Sequence, residues 1–264
     1  MKILFIADIV GRPGRWACSQ LLPDLKRSLD IDFVIANVEN AAGGFGLTKE
    51  ITQKIFTYGV DCQTSGNHIW DRKEIFPYLD CESHLLRPAN YPEGAPGRGW
   101  GVYQTKKMDK VGVLNIQGRT FMWEIDCPFR TSKKLIQSLK TDTKVIIVDL
   151  HAEATSEKMA LGWYLDGEVS AVVGSHTHVQ TADEVILPNG TAYITDAGMT
   201  GPHDSVIGIR KEDAIKRFLT QIPHRFRLGL SDIKFCGVLI ELDTQSGKAK
   251  KIERLKIDVP QEET

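Results

Sequence analysis

Residues 169–178 read Val169-Ser170-Ala171-Val172-Val173-Gly174-Ser175-His176-Thr177-His178. A short apolar run stops at a glycine and gives way to hydroxyls and imidazoles. Four other segments have the same form. Ile3–Ala7 runs into Asp8, and Phe33–Val38 into Glu39 and Asn40. Asp61–Ser65 runs into Gly66, Asn67 and His68, and Val145–Leu150 runs through Asp149 into His151. Near-continuous apolar runs of this length predict strands covered on both faces. In α/β sheets ligands bind at the carboxyl ends of strands, where turns bring distant residues together. Five strand ends therefore deliver Asp, Glu, Asn and His to one region.

The segments between fit an α/β chain. In 14–29, Ala17, Leu21, Leu22, Leu25 and Leu29 recur at helical spacing, with a kink expected at Pro23. Thr48 is placed to cap a helix over 49–58. Helices are also predicted over 130–140, 156–166 and 211–221. Residues 100–105 and 111–117 read as antiparallel strands. Two more hairpins are expected, 183–187 with 191–195 across Pro188-Asn189-Gly190, and 233–243 with 249–258 across Thr244–Lys248. This mixture predicts two mixed β-sheets packed face to face with helices outside, in one domain over residues 1–264.

Composition is consistent with that reading. Of 264 residues, 42% are apolar and 25% charged, and 33 Lys and Arg against 34 Asp and Glu leave a net charge of −1. These values exclude a disordered chain and a disulfide scaffold. They also argue against a long nucleic-acid partner, which needs a basic surface. The N-terminus lacks a signal-peptide pattern, and no window approaches the roughly 18 apolar residues of a membrane span. The five cysteines are odd in number and contain no CxxC, which predicts free thiols in a reducing cytoplasm. Homo-oligomers remain open on this reading.

Carboxylate and amide oxygens and imidazole nitrogens are the donors that iron, manganese and zinc accept. No Cys stands among them, which disfavours a structural zinc site. His176 and His178 are two apart on an expected extended segment and so start on one face. A bridging carboxylate would hold two ions about 3.5–4 Å apart, a spacing that polarises a phosphoryl oxygen and yields hydroxide near neutral pH. Other readings stand beside this one. Asp8 also fits a turn cap, and Asn67 a helix N-cap. Asp149 fits either an orienting partner of His151 or an ordinary turn residue, and Asp71 a helix start.

Together, Asp8, Glu39-Asn40, Gly66-Asn67-His68, His151 and Gly174–His178 resemble the successive motifs of calcineurin-like metallophosphoesterases. Val10 stands where that superfamily has His, and Asn37–Asn40 replace its second motif. These departures, with Asp8–Gly14, Glu39–Gly44 and Gly198–Pro202, resemble the YmdB-like bacterial phosphodiesterases. The resemblance implies an α-β-β-α sandwich holding two divalent transition metals, iron or manganese first and zinc next. It implies one ion on Asp8, Asn40 and His178 and another on Asn67, His151 and His176, with Glu39 shared. His68 is implied as proton donor, a role that suits imidazole. The implied substrate is a small phosphodiester such as 2′,3′-cAMP or 3′,5′-cAMP. A phosphomonoesterase, a ribonuclease and a nucleotide-sensing regulator are the rival readings.

The remaining features carry less. Gly11-Arg12-Pro13-Gly14 lacks the Walker and GxGxxG spacings, so it reads as a tight turn, with Arg12 an outside candidate for substrate phosphate. His203 lies in an expected loop, Gly201–Asp204, that could border the site. His84 and His224 read as structural.

Overall fold

Period-two alternation sorts each apolar strand into two faces. In the first strand Ile3, Phe5 and Ala7 join one buried cluster, and Leu4 and Ile6 join another. The structure is a computed structural model and describes residues 1–260. Its strands are β1 (Lys2–Ile6), β2 (Asp8–Ile9), β3 (Phe33–Asn37), β4 (Cys62–Thr64), β5 (Trp100–Gln104), β6 (Lys110–Gln117), β7 (Ile146–His151), β8 (Ala171–Ser175), β9 (Val185–Ile186), β10 (Ala192–Ile194), β11 (Met199–Pro202), β12 (Ile233–Leu242) and β13 (Ala249–Asp258). The α-helices among the described residues are α1 (Gly11–Ser28), α2 (Lys49–Thr57), α3 (Phe76–Cys81), α4 (Pro128–Leu139), α5 (Thr155–Tyr164) and α6 (Lys211–Thr220).

The strands form two mixed sheets. One has the order β2-β11-β12-β1-β3-β4, with β13 also paired to β12, and the other has the order β5-β6-β7-β8-β10-β9. Phe5, Ile35 and Val238 of the first meet Val113, Ile147 and Val173 of the second in one buried cluster. The opposite face of the first sheet packs Leu4, Ile6 and Val34 against Ala17 and Leu22 of α1 and Ile55 of α2. The opposite face of the second packs Leu114, Ile146 and Val148 against Ile136 and Leu139 of α4 and Leu161 of α5. Each Val, Leu, Ile or Phe among them stabilises the fold by about 1.5–3 kcal/mol when fully buried.

Parallel pairing fixes where the site lies. β1 pairs parallel with β3 and β3 with β4, while β6, β7 and β8 are parallel neighbours. The carboxyl ends of these runs carry Asp8, Glu39-Asn40, Gly66–His68, His151 and Ser175–His178. The expected hairpins form as β5–β6, β9–β10 and β12–β13. Thr48 caps α2 by accepting the Ile51 N–H at 3.3 Å.

Several expectations are corrected. α1 begins at Gly11 rather than residue 14, so Gly11–Gly14 are its first turn and not a separate loop. Gly201 and Pro202 lie in β11, which pairs parallel with β2, rather than in a loop. The turn Asn67–Trp70 is 3₁₀, and Gly66, not Asn67, occupies its cap position. The five cysteines are free. No described helix is long and apolar enough to cross a membrane.

Candidate metal centre

Strand parity decides which polar residues meet. Ile35 and Asn37, Cys62 and Thr64, Ile147 and Asp149, and Val173 and Ser175 are pairs two apart, so each polar residue shares the inward face of its apolar partner. At the carboxyl ends the inter-sheet core thus turns from apolar to polar. There Asp149 accepts from Asn37 Nδ2 at 3.1 Å, from the Ser175 hydroxyl at 2.6 Å and from the Thr64 hydroxyl. The Ser175 hydrogen is spent on Asp149, so its oxygen accepts the His151 Nδ1–H at 3.0 Å. That leaves His151 Nε2 facing inward, 3.0 Å from Glu39 Oε1 and 3.0 Å from His176 Nδ1. Asp149 therefore orients His151 through Ser175, the relay expected behind a ligating imidazole.

Glu39, His151 and His176 offer ligand atoms within 4.8 Å of one another. Around them stand the other expected residues. Asp8 Oδ2 accepts the His176 backbone N–H at 2.8 Å and lies 3.8 Å from His178 Nε2. His178 donates Nδ1–H to Ile207 O at 2.9 Å, which turns Nε2 to the site. His176 Nε2 lies 3.2 Å from Glu153, which turns its Nδ1 inward. Asn40 Nδ2 is 3.2 Å from Glu39 Oε1 and 3.1 Å from His178 Nε2. A half-turn of that amide exchanges its nitrogen for its oxygen. Asn67 borders His176 across a shared cavity.

Three oxygens of this group, Asp8 Oδ1, Asn40 Oδ1 and Asn67 Oδ1, are buried without a hydrogen-bond partner. Each such atom costs about 1–3 kcal/mol unless something satisfies it. Bound cations would satisfy Asp8 and Asn67, and Asn40 once its amide is turned, and the oxygen and nitrogen donors are of the kind that divalent metals accept. Electrostatics agree. Burial and the charges of Glu39 and Asp196 push the Asp8 carboxyl well above its ordinary range. Burial opposes the Glu39 charge too, but the His151 charge and hydrogen bonds from His151 and the His68 N–H bring it down to about 2. Burial likewise opposes a charged His151, but Glu39, Asp8 and Asp149 raise the ring to about 9. Burial and the His151 charge lower His176 to about 3, and burial lowers His178. Both are therefore neutral imidazoles, the form that binds metal.

Backbone shape is also specialised. His176 and His178 have φ of 100° and 64°, so they do not continue the strand as an extended segment. For non-glycine residues this conformation is uncommon and costs energy that the surroundings must supply. A buried ion pair is bonded to the residues between and before these two histidines. Lys158 Nζ, fully buried on α5, donates to Asp196 at 2.7 Å and to Ser175 O at 2.8 Å. Asp196 in turn accepts the Thr177 N–H at 3.0 Å and the Thr177 hydroxyl at 2.8 Å.

Gly66 is required by close approach. A Cβ there would lie 2.1 Å from the His151 ring and 2.5 Å from Glu39 Oε2. Both side chains are buried, so Gly66→Ala should destabilise by about 1–3 kcal/mol and displace the two groups. Thermal unfolding together with metal titration checks this. A variant matching the parent in both would show that the site yields freely.

His68 projects into a cavity of about 310 Å³ shared with Glu39, Asn40, His176 and His178. Its backbone N–H donates to Glu39 Oε2 at 2.9 Å, its Nδ1 lies 2.8 Å from Asp71, and its ring packs edge-on to Phe45. Asp71 thus orients His68 instead of opening a helix; the i,i+3 spacing was its available signal. Arg12 lies exposed on α1, outside that cavity's lining. His203 is also outside it and meets Met199 O at 3.0 Å. His84 contacts Asp61 O and Tyr103, and His224 contacts Asp213.

Known proteins share both this sequence pattern and this fold. Residues 4–255 match the family described as YmdB-like protein. The chain belongs to the YmdB-like family. A relative from Bacillus subtilis (strain 168), named 2′,3′-cyclic-nucleotide 2′-phosphodiesterase, is 51% identical over 98% of this chain and 97% of its own length. A crystal structure of a hypothetical protein from Thermus thermophilus superimposes with a TM-score of 0.92 at 40% identity, covering 98% of this chain and 100% of that one. A structure from Mycoplasma pneumoniae described as a novel phosphatase gives a TM-score of 0.91 at 35% identity, covering 98% of this chain and 93% of that one. Membership in the YmdB-like family agrees with the resemblance carried by the strand-end motifs.

Proposed function

We propose that this chain is a metal-dependent phosphodiesterase acting on cyclic nucleotides, of the 2′,3′ or the 3′,5′ type. The observation that carries this reading is the set of buried, unpartnered oxygens on Asp8, Asn40 and Asn67 around Glu39, His151 and His176. The name of the Bacillus subtilis relative supports the substrate class. One ion would be held by Asp8, Asn40 and His178, and a second by Asn67, His151 and His176, with Glu39 shared. When bound, such ions polarise a phosphoryl oxygen and lower the pKa of water. The layered sheets and helices support assignment to the calcineurin-like sandwich, with residues 1–264 as one catalytic domain.

The chain's own groups do the rest. Glu39 holds the His68 backbone, and Asp71 holds its Nδ1. Nε2 is then the nitrogen available to give a proton to the departing ribose oxygen. His68→Ala should lower kcat about 10²–10⁴-fold with metal content unchanged. Full activity with both metals retained would remove His68 as the acid. The wider test is elemental analysis of protein purified without added metal, followed by a panel of 2′,3′-cAMP, 3′,5′-cAMP, p-nitrophenyl phosphate and RNA. Two bound transition metals and preference for a cyclic nucleotide are expected. Preferential cleavage of RNA or of the monoester would overturn the substrate reading.

A further inference from the structure

A second cavity, of about 540 Å³, adjoins the first across His176 and is lined by Asn67, His176 and residues 121–124. Its volume lies in the range of small-ligand pockets. Two aromatic side chains there, Phe121 and Trp123, are 89% and 71% exposed. Their loop is nevertheless tied down. Gly118 N–H donates to His151 O at 2.9 Å, the N–H groups of Arg119 and Thr120 donate to the buried Glu157 carboxylate at 3.1–3.2 Å, and Asp126 N–H donates to Asn90 O. Phe121 itself sits at φ 62°, left-handed for a bulky residue. The fold thus holds two aromatic rings in water at the edge of the metal centre, at a cost in backbone strain.

We propose that Trp123 and Phe121 form the platform on which the nucleobase of the substrate stacks. This inference rests on the cyclic-nucleotide reading. The first cavity is lined by Glu39, Asn40, His176 and His178, and must take the phosphate and ribose beside His68. Its phenyl wall, Phe45, has its ring engaged with His68, and the remaining apolar lining is aliphatic: Val10, Ile207, Ile209 and Leu228. The base therefore extends past His176 into the second cavity. Stacking on aromatic faces tolerates any base, so purine and pyrimidine nucleotides are both accommodated.

The test compares 2′,3′-cAMP with ribose 2,3-cyclic phosphate, which has the same reacting ring and no base. Wild type should show the lower KM for the nucleotide. Trp123→Ala should shrink that KM ratio roughly tenfold, with kcat for the nucleotide changed far less, and Trp123→Phe should restore most of it. Exposure of the side chain makes misfolding a minor risk, which circular dichroism and metal content check. An unchanged ratio in folded, metal-loaded Trp123→Ala overturns the platform, as does transfer of the whole effect to Phe45→Ala. Failure of wild type to hydrolyse these two compounds and 3′,5′-cAMP as well overturns the substrate reading, and the platform with it.

Discussion

Replacing Glu39 by Gln is expected to lower turnover more than about 100-fold and to strip metal from the protein. Gln matches Glu in volume and retains a carbonyl oxygen that can accept the His68 N–H, now 2.9 Å from Oε2. What it loses is the negative charge beside His151 and His176. Changes to groups that merely support a metal ligand cost about 10–100-fold in affinity or activity. Loss of a carboxylate placed to serve both proposed ions should exceed that. Elemental analysis and steady-state kinetics on the same preparation check the outcome. A Glu39→Gln protein that keeps both metals and its turnover would remove the bridging role.

Much of this site was legible because strand ends are legible. An apolar run of five or six residues followed by Asp, Glu-Asn or His reports both a buried strand and what lies past it. Parallel order gathers the ends within each sheet, and the packing of the two sheets brings Glu39, after β3, to His151, at the end of β7. The β9–β10 and β12–β13 hairpins were legible from turn residues for the same local reason. Long-range features were not. β2 and β11 are two and four residues long, too short for a periodic signal, and they form only against each other and β12. The left-handed φ of His176 and His178 is imposed by tertiary contacts and has no local signature, since histidine in a strand-end motif reads as extended. Ser175 reads as a spacer, and its relay from Asp149 to His151 exists only once β7 and β8 pair.

Lys158→Met is expected to destabilise the protein by about 3–5 kcal/mol and to weaken metal binding by about 10–100-fold. In sequence, Lys158 is an ordinary helix lysine. In the structure it is wholly buried on α5, bonded to Asp196 and to Ser175 O. Removing it leaves the Asp196 charge buried and uncompensated, which is the costly way to break such a pair. For a chain of this length the loss corresponds to roughly a 10 °C fall in Tm. Stability alone would not reveal the positioning role, so a second variant is needed. Lys158→Met with Asp196→Leu removes both charges together and should recover only part of the lost stability, because replacing a buried pair by apolar groups is often neutral but here leaves the Thr177 and Gly198 donors without their acceptor. It should not recover the metal affinity. Asp196 also accepts from the Thr177 N–H and hydroxyl and from the Gly198 N–H at 2.8 Å, and leucine offers none of these acceptors. Without them nothing equivalent offsets the left-handed backbone at His176 and His178, and the two imidazoles drift from their places. Thermal unfolding and metal titration separate the two effects. A double variant that binds metal as tightly as the parent would reduce the Lys158–Asp196 pair to a structural feature with no hold on the site.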